Sequence, residues 1–132
     1  MIRWLIVIAM LMHGVGHIMF FLESFTGSAM GFSSEPWLLP GAFTATSPVG
    51  KVFALLWLLA MLGFMAAAIG LLLRQAWWPA LAVSAAAISL VVLLPWWNVI
   101  PPSSRLWVLL ADLVIIVAFG LPWKDKVIES LG

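Results

Sequence analysis

The sequence contains no cysteine and very little charge. With no cysteine among its 132 residues, the chain can form neither a disulfide framework nor a thiolate metal site. Charged residues make up 8% of the sequence, against about 25% in a typical soluble domain. The formal net charge is +1 and there is no basic run, which excludes nucleic acid as a partner. Any chemistry must therefore come from His, Asp, Glu, Ser or backbone groups.

Apolar residues dominate what remains. They make up 65% of the chain, and the mean hydropathy is +1.20. Crossing a hydrocarbon core takes about 20 apolar residues in a helix, and four segments are long enough. The predicted helices span residues 4–22, 48–73, 76–97 and 104–121. The sequence therefore predicts an all-α integral membrane protein whose single domain, residues 1–132, is a bundle of four antiparallel transmembrane helices in contact with the lipid bilayer.

The positions of lysine and arginine predict the orientation of the bundle. Arg3, Arg74, Lys124 and Lys126 lie at one set of helix ends, and Lys51 and Arg105 lie at the other. Under the positive-inside rule the side with more of these residues faces the cytoplasm. Both termini are therefore predicted inside, with a long outer loop between helices 1 and 2. This layout is typical of a multi-pass protein of the cell membrane, such as the bacterial inner membrane.

Local signals predict where the helices begin and end. Ser47 followed by Pro48 is typical of an N-cap and the first helical residue. In "PPSSR", Ser103 or Ser104 is predicted to cap the fourth helix, and Gly120 is predicted to end it. The outer loop contains the apolar stretch "EPWLLPGAF", which predicts a short interfacial or re-entrant turn lying over the bundle.

Two histidines interrupt the first apolar segment. In "AMLMHGVGHIMFF", His13 and His17 are four residues apart, so they lie on the same face of a helix. Gly14 and Gly16 flank them and make the helix thin enough to admit a neighbouring helix or a ligand.

The few polar residues of the spans share one depth. With a rise of about 1.5 Å per residue, His17 lies about 7 Å and His13 about 13 Å below the predicted outer end of the first helix. By the same count Ser89 and Asp112 lie about 9 and 10 Å from the outer ends of their helices. A lone Asp inside a bilayer costs several kcal/mol, so Asp112 is expected to face the bundle, with the two histidines as its partners.

These residues predict a buried polar site in the outer half of the bilayer. His13, His17 and Asp112 would form it, supported by Ser89 or Glu23. Two imidazoles and a carboxylate suit zinc, copper or non-haem iron, and the same set could relay protons or bind a polar lipid headgroup or quinone. Alternatively, Asp112 bonds one histidine and the cluster only determines how the first and fourth helices pack.

Two short stretches resemble a known group of proteins. "HGVGHIMFF" and "GKVFALLWLLA" are similar to segments of small bacterial four-helix membrane proteins that begin with an HGxxH element and carry a Lys-led second helix containing Trp. The matching positions are His13, Gly14, His17, Phe21, Gly50, Lys51, Leu56 and Trp57. The layout also resembles that of DoxX-type membrane proteins. The resemblance implies a four-helix fold and no particular activity.

Two classes of function remain open. The chain is either a membrane protein that binds a metal or a polar lipid-like ligand, or an accessory subunit of a larger membrane complex. In the second case the histidines would pack the helices or hold a haem or pigment shared with a partner, which could also be a second copy of the chain. No residue pattern indicates a reaction, and binding is favoured over catalysis.

Overall fold

The computed structural model describes residues 1–28, 30, 35–98 and 100–131, and these residues form helices and connecting turns without any strand. The helices are α1 (Ile2–Gly16), α2 (Ile18–Thr26), α3 (Pro48–Leu72), α4 (Trp78–Leu93), α5 (Pro102–Gly120) and α6 (Lys124–Ser130). The prediction of an all-α fold is confirmed. Residues 29 and 31–34 of the predicted outer loop lie outside the described residues.

Three helical stretches are long and apolar enough to cross a membrane. They are Ile2–Thr26, which consists of α1 and α2 in succession, Pro48–Leu72 and Pro102–Gly120. The fourth apolar helix, α4, has 16 residues, which extend about 24 Å against a hydrocarbon core of about 30 Å. The predicted helix over residues 76–97 is therefore too long. Pro95 explains its earlier end, because proline has no N–H to donate to the carbonyl four residues earlier and its ring clashes with that carbonyl.

The first span is longer than predicted. It was expected to end at residue 22, but α2 continues to Thr26 and ends at Gly27. Gly27 has a φ of 69° and its N–H donates to the Glu23 carbonyl, which is the left-handed C-cap that glycine favours. Glu23 consequently lies inside a helix and not at the start of the loop. It and Ser24 are buried, so their polarity did not mark the end of the helix.

The other helix ends test the capping signals. The Ser47 hydroxyl accepts a hydrogen bond from the Gly50 N–H with Pro48 at the first helical position, as predicted. The predicted cap of the fourth helix is wrong, since α5 begins at Pro102 with Pro101 as its N-cap. A proline at the first helical position loses no bond that the helix would otherwise make. Gly120 ends α5 as predicted. The short helix α6 was not predicted.

The helices pack in the order α1, α3, α4, α5, with α2 also on α3 and α6 on α5. Helices α3 and α4 are joined by the short turn of residues 73–77 and pack along each other. Small residues allow this close approach. A Cβ atom on Gly63 would come within 2.9 Å of the Ala85 Cβ.

The two ends of the bundle are built differently. At one end, the loop between α2 and α3 is fastened to the turn after α4. The indole N–H of Trp37 donates to the Leu94 carbonyl, and the Asn98 side chain bonds the backbone of Trp37 and Glu35. This end is called the loop end. At the opposite, terminal end, Arg3, Arg74 and Asp125 line one cleft, so both termini lie at the same end of the bundle.

The apolar core is divided into two clusters. One lies towards the terminal end and includes Met10, Ala86 and Ile115, and the other lies towards the loop end and includes Phe20 and Val92. Between the two clusters, the first helical stretch, α4 and α5 each contribute a buried polar side chain, namely His17, Ser89 and Asp112. The core therefore places one polar layer between two apolar ones.

Candidate functional site

The polar layer is formed by side chains from three parts of the chain. His13 lies on α1, His17 lies at the junction of α1 and α2, Ser89 lies on α4, and Asp112 lies on α5. Their burial is nearly complete, with exposed side-chain fractions of 10% for His13 and 0% for Asp112. His17 and Ser89 are also buried. The sequence predicted that these four residues share one depth, and the structure brings them into contact.

Hydrogen bonds connect the four residues in a closed chain. Nε2 of His13 lies 2.8 Å from Oδ1 of Asp112, and the Ser89 hydroxyl lies 2.6 Å from Oδ2 of the same carboxyl. Nε2 of His17 lies 2.9 Å from the Ser89 hydroxyl, and Nδ1 of His17 lies 3.0 Å from the His13 carbonyl. The predicted pairing of Asp112 with a histidine is confirmed, and Ser89 joins that pair to His17.

The four bonds limit how many protons the layer holds. Each bond needs one hydrogen, but two neutral imidazoles, one hydroxyl and one carboxylate supply only three for these contacts. Four simultaneous bonds therefore need one hydrogen more than these groups bring. Asp112 has a hydrogen-bond partner on each of its two oxygens, and a carboxyl satisfied in this way is far less costly to bury in an apolar core than an unpaired carboxylate.

Aromatic rings hold the histidines in place. The ring of His13 lies 4.9 Å from that of Phe64 and 5.0 Å from that of His17. The His17 ring lies 5.5 Å from that of Trp57. On the backbone side, a Cβ atom on Gly14 would come within 3.1 Å of the Phe64 Cβ. The absence of a side chain at Gly14 thus allows α1 to lie against α3 and places both histidines towards the bundle.

A cavity of about 300 Å³ lies beside the polar layer. Its polar lining residues are His13, His17, Ser89 and Ser104, and most of the remaining lining is apolar. The lining residues are His13, Gly16, His17, Met19, Met30, Trp57, Ser89, Leu93, Ile100, Pro101, Ser104 and Val108. Among the described residues, no side chain other than those of its chain neighbours approaches Gly16 within 4 Å of where its Cβ would be. Of the two predicted roles for the glycines, Gly14 admits a helix and Gly16 borders open space.

Glu23 is not part of this cluster. It is buried on α2, and its Oε2 has no hydrogen-bond partner among the described residues. Glu23 also does not line the cavity. The sequence analysis placed it just beyond the predicted end of the first helix, as a possible support for the histidines, but its side chain does not join their hydrogen bonds.

The predicted metal site has no support in the structure. Within the described part of the chain, no group of three or more His, Cys, Asp or Glu side chains is arranged to hold a metal ion. The hydrogen bonds explain this result. Both ring nitrogens of His17 are used, one on Ser89 and one on the His13 carbonyl, so His17 has no free lone pair for a metal.

Sequence reasoning missed several parts of the site. Phe64 and the loop residues Met30, Ile100 and Pro101 carried no signal that would place them near the histidines. Trp57 did carry one, because it lies well inside the predicted helix over residues 48–73 and not at either of its ends. Tryptophan prefers the membrane interface, so an indole at this depth indicates packing against something specific, here the rings of His17 and Phe20.

Comparisons with protein-family models, with curated proteins and with solved structures find no match to this chain. The class of protein is therefore defined by the fold and the site alone. It is an all-helical protein with apolar helices that fit a membrane, and it contains a buried His/Asp pair beside a cavity.

Proposed function

We propose that the chain is a membrane-embedded binding protein that holds a lipid-like molecule in the cavity beside His13, His17, Ser89 and Asp112. The observation that carries the proposal is the cavity itself, whose lining combines His13, His17 and Ser89 with mostly apolar residues. Such a lining suits an amphipathic molecule, whose head meets the polar residues. The volume of about 300 Å³ lies at the lower end of the range of small-molecule sites, about 300 to 1,000 Å³.

The proposal includes a topology. Four helices cross the bilayer in antiparallel order with both termini in the cytoplasm, and the cavity opens in the outer half. Support comes from the lysine and arginine distribution and from the position of Arg3, Arg74 and Asp125 at one end. The shortness of α4 is compatible with a crossing if the turns at its ends, which contain Trp77 and Trp96, lie in the interface.

The open space favours binding over a purely structural role. Protein interiors are close-packed, and a gap beside a core loses the contacts that its lining atoms would otherwise make. If the histidines served only to pack helices, a side chain at position 16 would be accommodated at no steric cost, because no atom of the described residues outside its own helical neighbourhood lies within 4 Å of that Cβ position. Glycine at this position leaves room for a molecule from outside the chain.

A second function has its own supporting observation. Helix α5 is poorly covered by the rest of the chain, with 17% of its apolar window buried. Its exposed large side chains are Leu106, Trp107, Leu110, Leu113, Val114 and Val117. This face could contact another subunit of a membrane complex or a second copy of the chain. A role as a subunit of such a complex is the alternative to a binding protein that functions alone in the bilayer.

The experiment compares the molecules bound to the wild type and to two variants. The protein is purified in a mild detergent, and bound lipids are extracted and measured by mass spectrometry per mole of chain. Gly16→Leu fills the cavity. Val15→Leu is the matched control, because Val15 is the neighbouring exposed residue and does not line the cavity.

The proposal expects one amphipathic species bound near stoichiometrically to the wild type and to Val15→Leu, and lost from Gly16→Leu. Equal amounts in all three proteins would overturn it. A stoichiometric metal in elemental analysis would contradict the lipid-like ligand. Recovery of the chain only within a larger assembly would favour the second function.

A further inference from the structure

The hydrogen-bonded layer leaves one ring nitrogen without a partner. Both nitrogens of His17 are bonded, and Nε2 of His13 is bonded to Asp112. Nδ1 of His13 has no hydrogen-bond partner among the described residues, and it is not one of the fully covered polar atoms. The His13 side chain lines the cavity. This nitrogen is therefore a polar atom of the site that the protein itself leaves unsatisfied.

The bond to Asp112 determines the character of this nitrogen. Oδ1 of Asp112 lies against Nε2 of His13, while Oδ2 receives the Ser89 hydroxyl. We assign the hydrogen of the neutral His13 ring to Nε2, because a carboxylate oxygen can only accept. Nδ1 then carries a lone pair and can only accept. A group that donates a hydrogen bond is required to satisfy it, since an unsatisfied polar atom in an apolar site is costly.

The surroundings narrow the class of donor. An ammonium group would bring an unpaired charge into a mainly apolar cavity, which is costly. A carboxylate or phosphate has no hydrogen to donate and would bring a negative charge close to Asp112. A neutral hydroxyl can donate a hydrogen bond to Nδ1 and brings no charge into the cavity. Molecules that dissolve in a bilayer and carry such a group include lipid alcohols and hydroquinones.

We propose that the molecule bound in the cavity carries a hydroxyl group that donates a hydrogen bond to Nδ1 of His13. This inference rests on the proposed binding function and specifies its ligand. The apolar remainder of the molecule lies against Met19 and Val108, which line the cavity from the α2 and α5 sides. Helix α5 packs along α4 and α6 and, within the described residues, does not pack along α1. The apolar tail of the ligand can therefore extend between α1 and α5 into lipid.

The test uses two probes that differ in one hydrogen-bond donor. A long-chain alcohol bearing a diazirine, and its methyl ether, are added to the protein in nanodiscs of dioleoylphosphatidylcholine. After photolysis, labelling of the cavity residues is measured by mass spectrometry as a function of probe concentration. The alcohol is expected to half-saturate at a concentration about tenfold lower than the ether, which corresponds to one hydrogen bond.

Two variants separate the inference from the function on which it rests. His13→Leu is expected to remove the preference for the alcohol while the ether still labels, which also reports that the cavity has formed. Gly16→Leu is expected to abolish cavity labelling by both probes. Equal labelling of the wild type by alcohol and ether would overturn the proposed hydroxyl group on the ligand, but it would not contradict the binding function. Absence of cavity labelling by both, or labelling unchanged in Gly16→Leu, overturns the binding function itself.

Competition identifies the source of the hydroxyl. Reduced labelling in the presence of unlabelled diacylglycerol indicates a glycerolipid, and reduced labelling in the presence of a reduced isoprenoid quinone indicates a hydroquinone. Labelling by the alcohol that neither competitor lowers would contradict a hydroxyl-bearing membrane ligand.

Discussion

His13 and Asp112 are 99 residues apart in the sequence and are joined by a hydrogen bond of 2.8 Å. They lie on α1 and α5, two of the helices that line the cavity. Within the described residues, α1 packs mainly on α3, and α5 packs mainly on α4, so the bond joins two helices that pack chiefly on others. The pair therefore joins the helices and forms one edge of the proposed binding site.

Replacing Asp112 should distinguish the role of its oxygens from that of its charge. An amide can accept from His13 and donate to Ser89, so Asp112→Asn retains all four bonds without an added proton. We expect Asn to lower the free energy of unfolding by less than about 1 kcal/mol, and Ala by about 1 to 3 kcal/mol, because it leaves buried donors unsatisfied. Unfolding in mild detergent measures both. Asp125→Asn on α6 is the control, and an equal loss for Asn and Ala would contradict the hydrogen-bond account.

His13 and Asp112 should be energetically coupled. A double-mutant cycle with His13→Leu and Asp112→Leu is expected to give a coupling of about 0.5 to 2 kcal/mol, the range for polar groups in contact within a membrane protein. The measurement is the thermal or chemical stability of the two single variants and the double variant. A parallel cycle of His13→Leu with Asp125→Leu should be additive, since Asp125 lies at the terminal end. Additivity in both cycles would show that the 2.8 Å contact has no energetic weight.

The two glycines of the histidine motif should respond differently to the same substitution. A side chain at Gly14 meets Phe64 and the Met61 carbonyl, at 3.1 and 3.4 Å from the Cβ position, whereas one at Gly16 meets nothing within 4 Å. We expect Gly14→Leu to cost about 1 to 3 kcal/mol through overpacking, and Gly16→Leu to change stability by less than about 0.5 kcal/mol. Each glycine is the control of the other. Similar costs at both positions would contradict the packing of α1 on α3.

The number of membrane crossings can be read from cysteine labelling, because the chain has no cysteine of its own. A cysteine at Ser28 is expected to react with an impermeant maleimide from outside the cell, and one at Ser130 only from inside. With four crossings these positions lie on opposite sides. If α4 does not cross, they lie on the same side, and reaction of both from one side would refute the proposed topology. Reversed labelling would refute the orientation alone.

The sequence by itself determined the fold class and the positions of most helices, because these depend on local properties. Helix α3 was predicted to within one residue, since Ser47 and Pro48 supply a cap and a first helical position whatever surrounds them. The need of Asp112 for a partner was equally clear, because a lone carboxylate is costly at any apolar depth. Glu23 and Pro95 mark two positions at which predictions from local sequence signals were wrong. A buried glutamate did not end a helix, and a proline shortened one.

Only the tertiary structure decided which atoms meet. Spacing along a helix places His13 and His17 on one face, but the rotation of that face towards α5 depends on the contact between Gly14 and Phe64. The same rotation places Ser89 between His17 and Asp112 and leaves Nδ1 of His13 without a partner. The cavity beside Gly16 likewise could not be predicted from the sequence, because an unfilled volume depends on how several helices pack against one another. Helical periodicity and the free-energy cost of burying a polar group predict which residues must be buried together. Side-chain packing decides which atoms then remain without a partner and where a cavity forms.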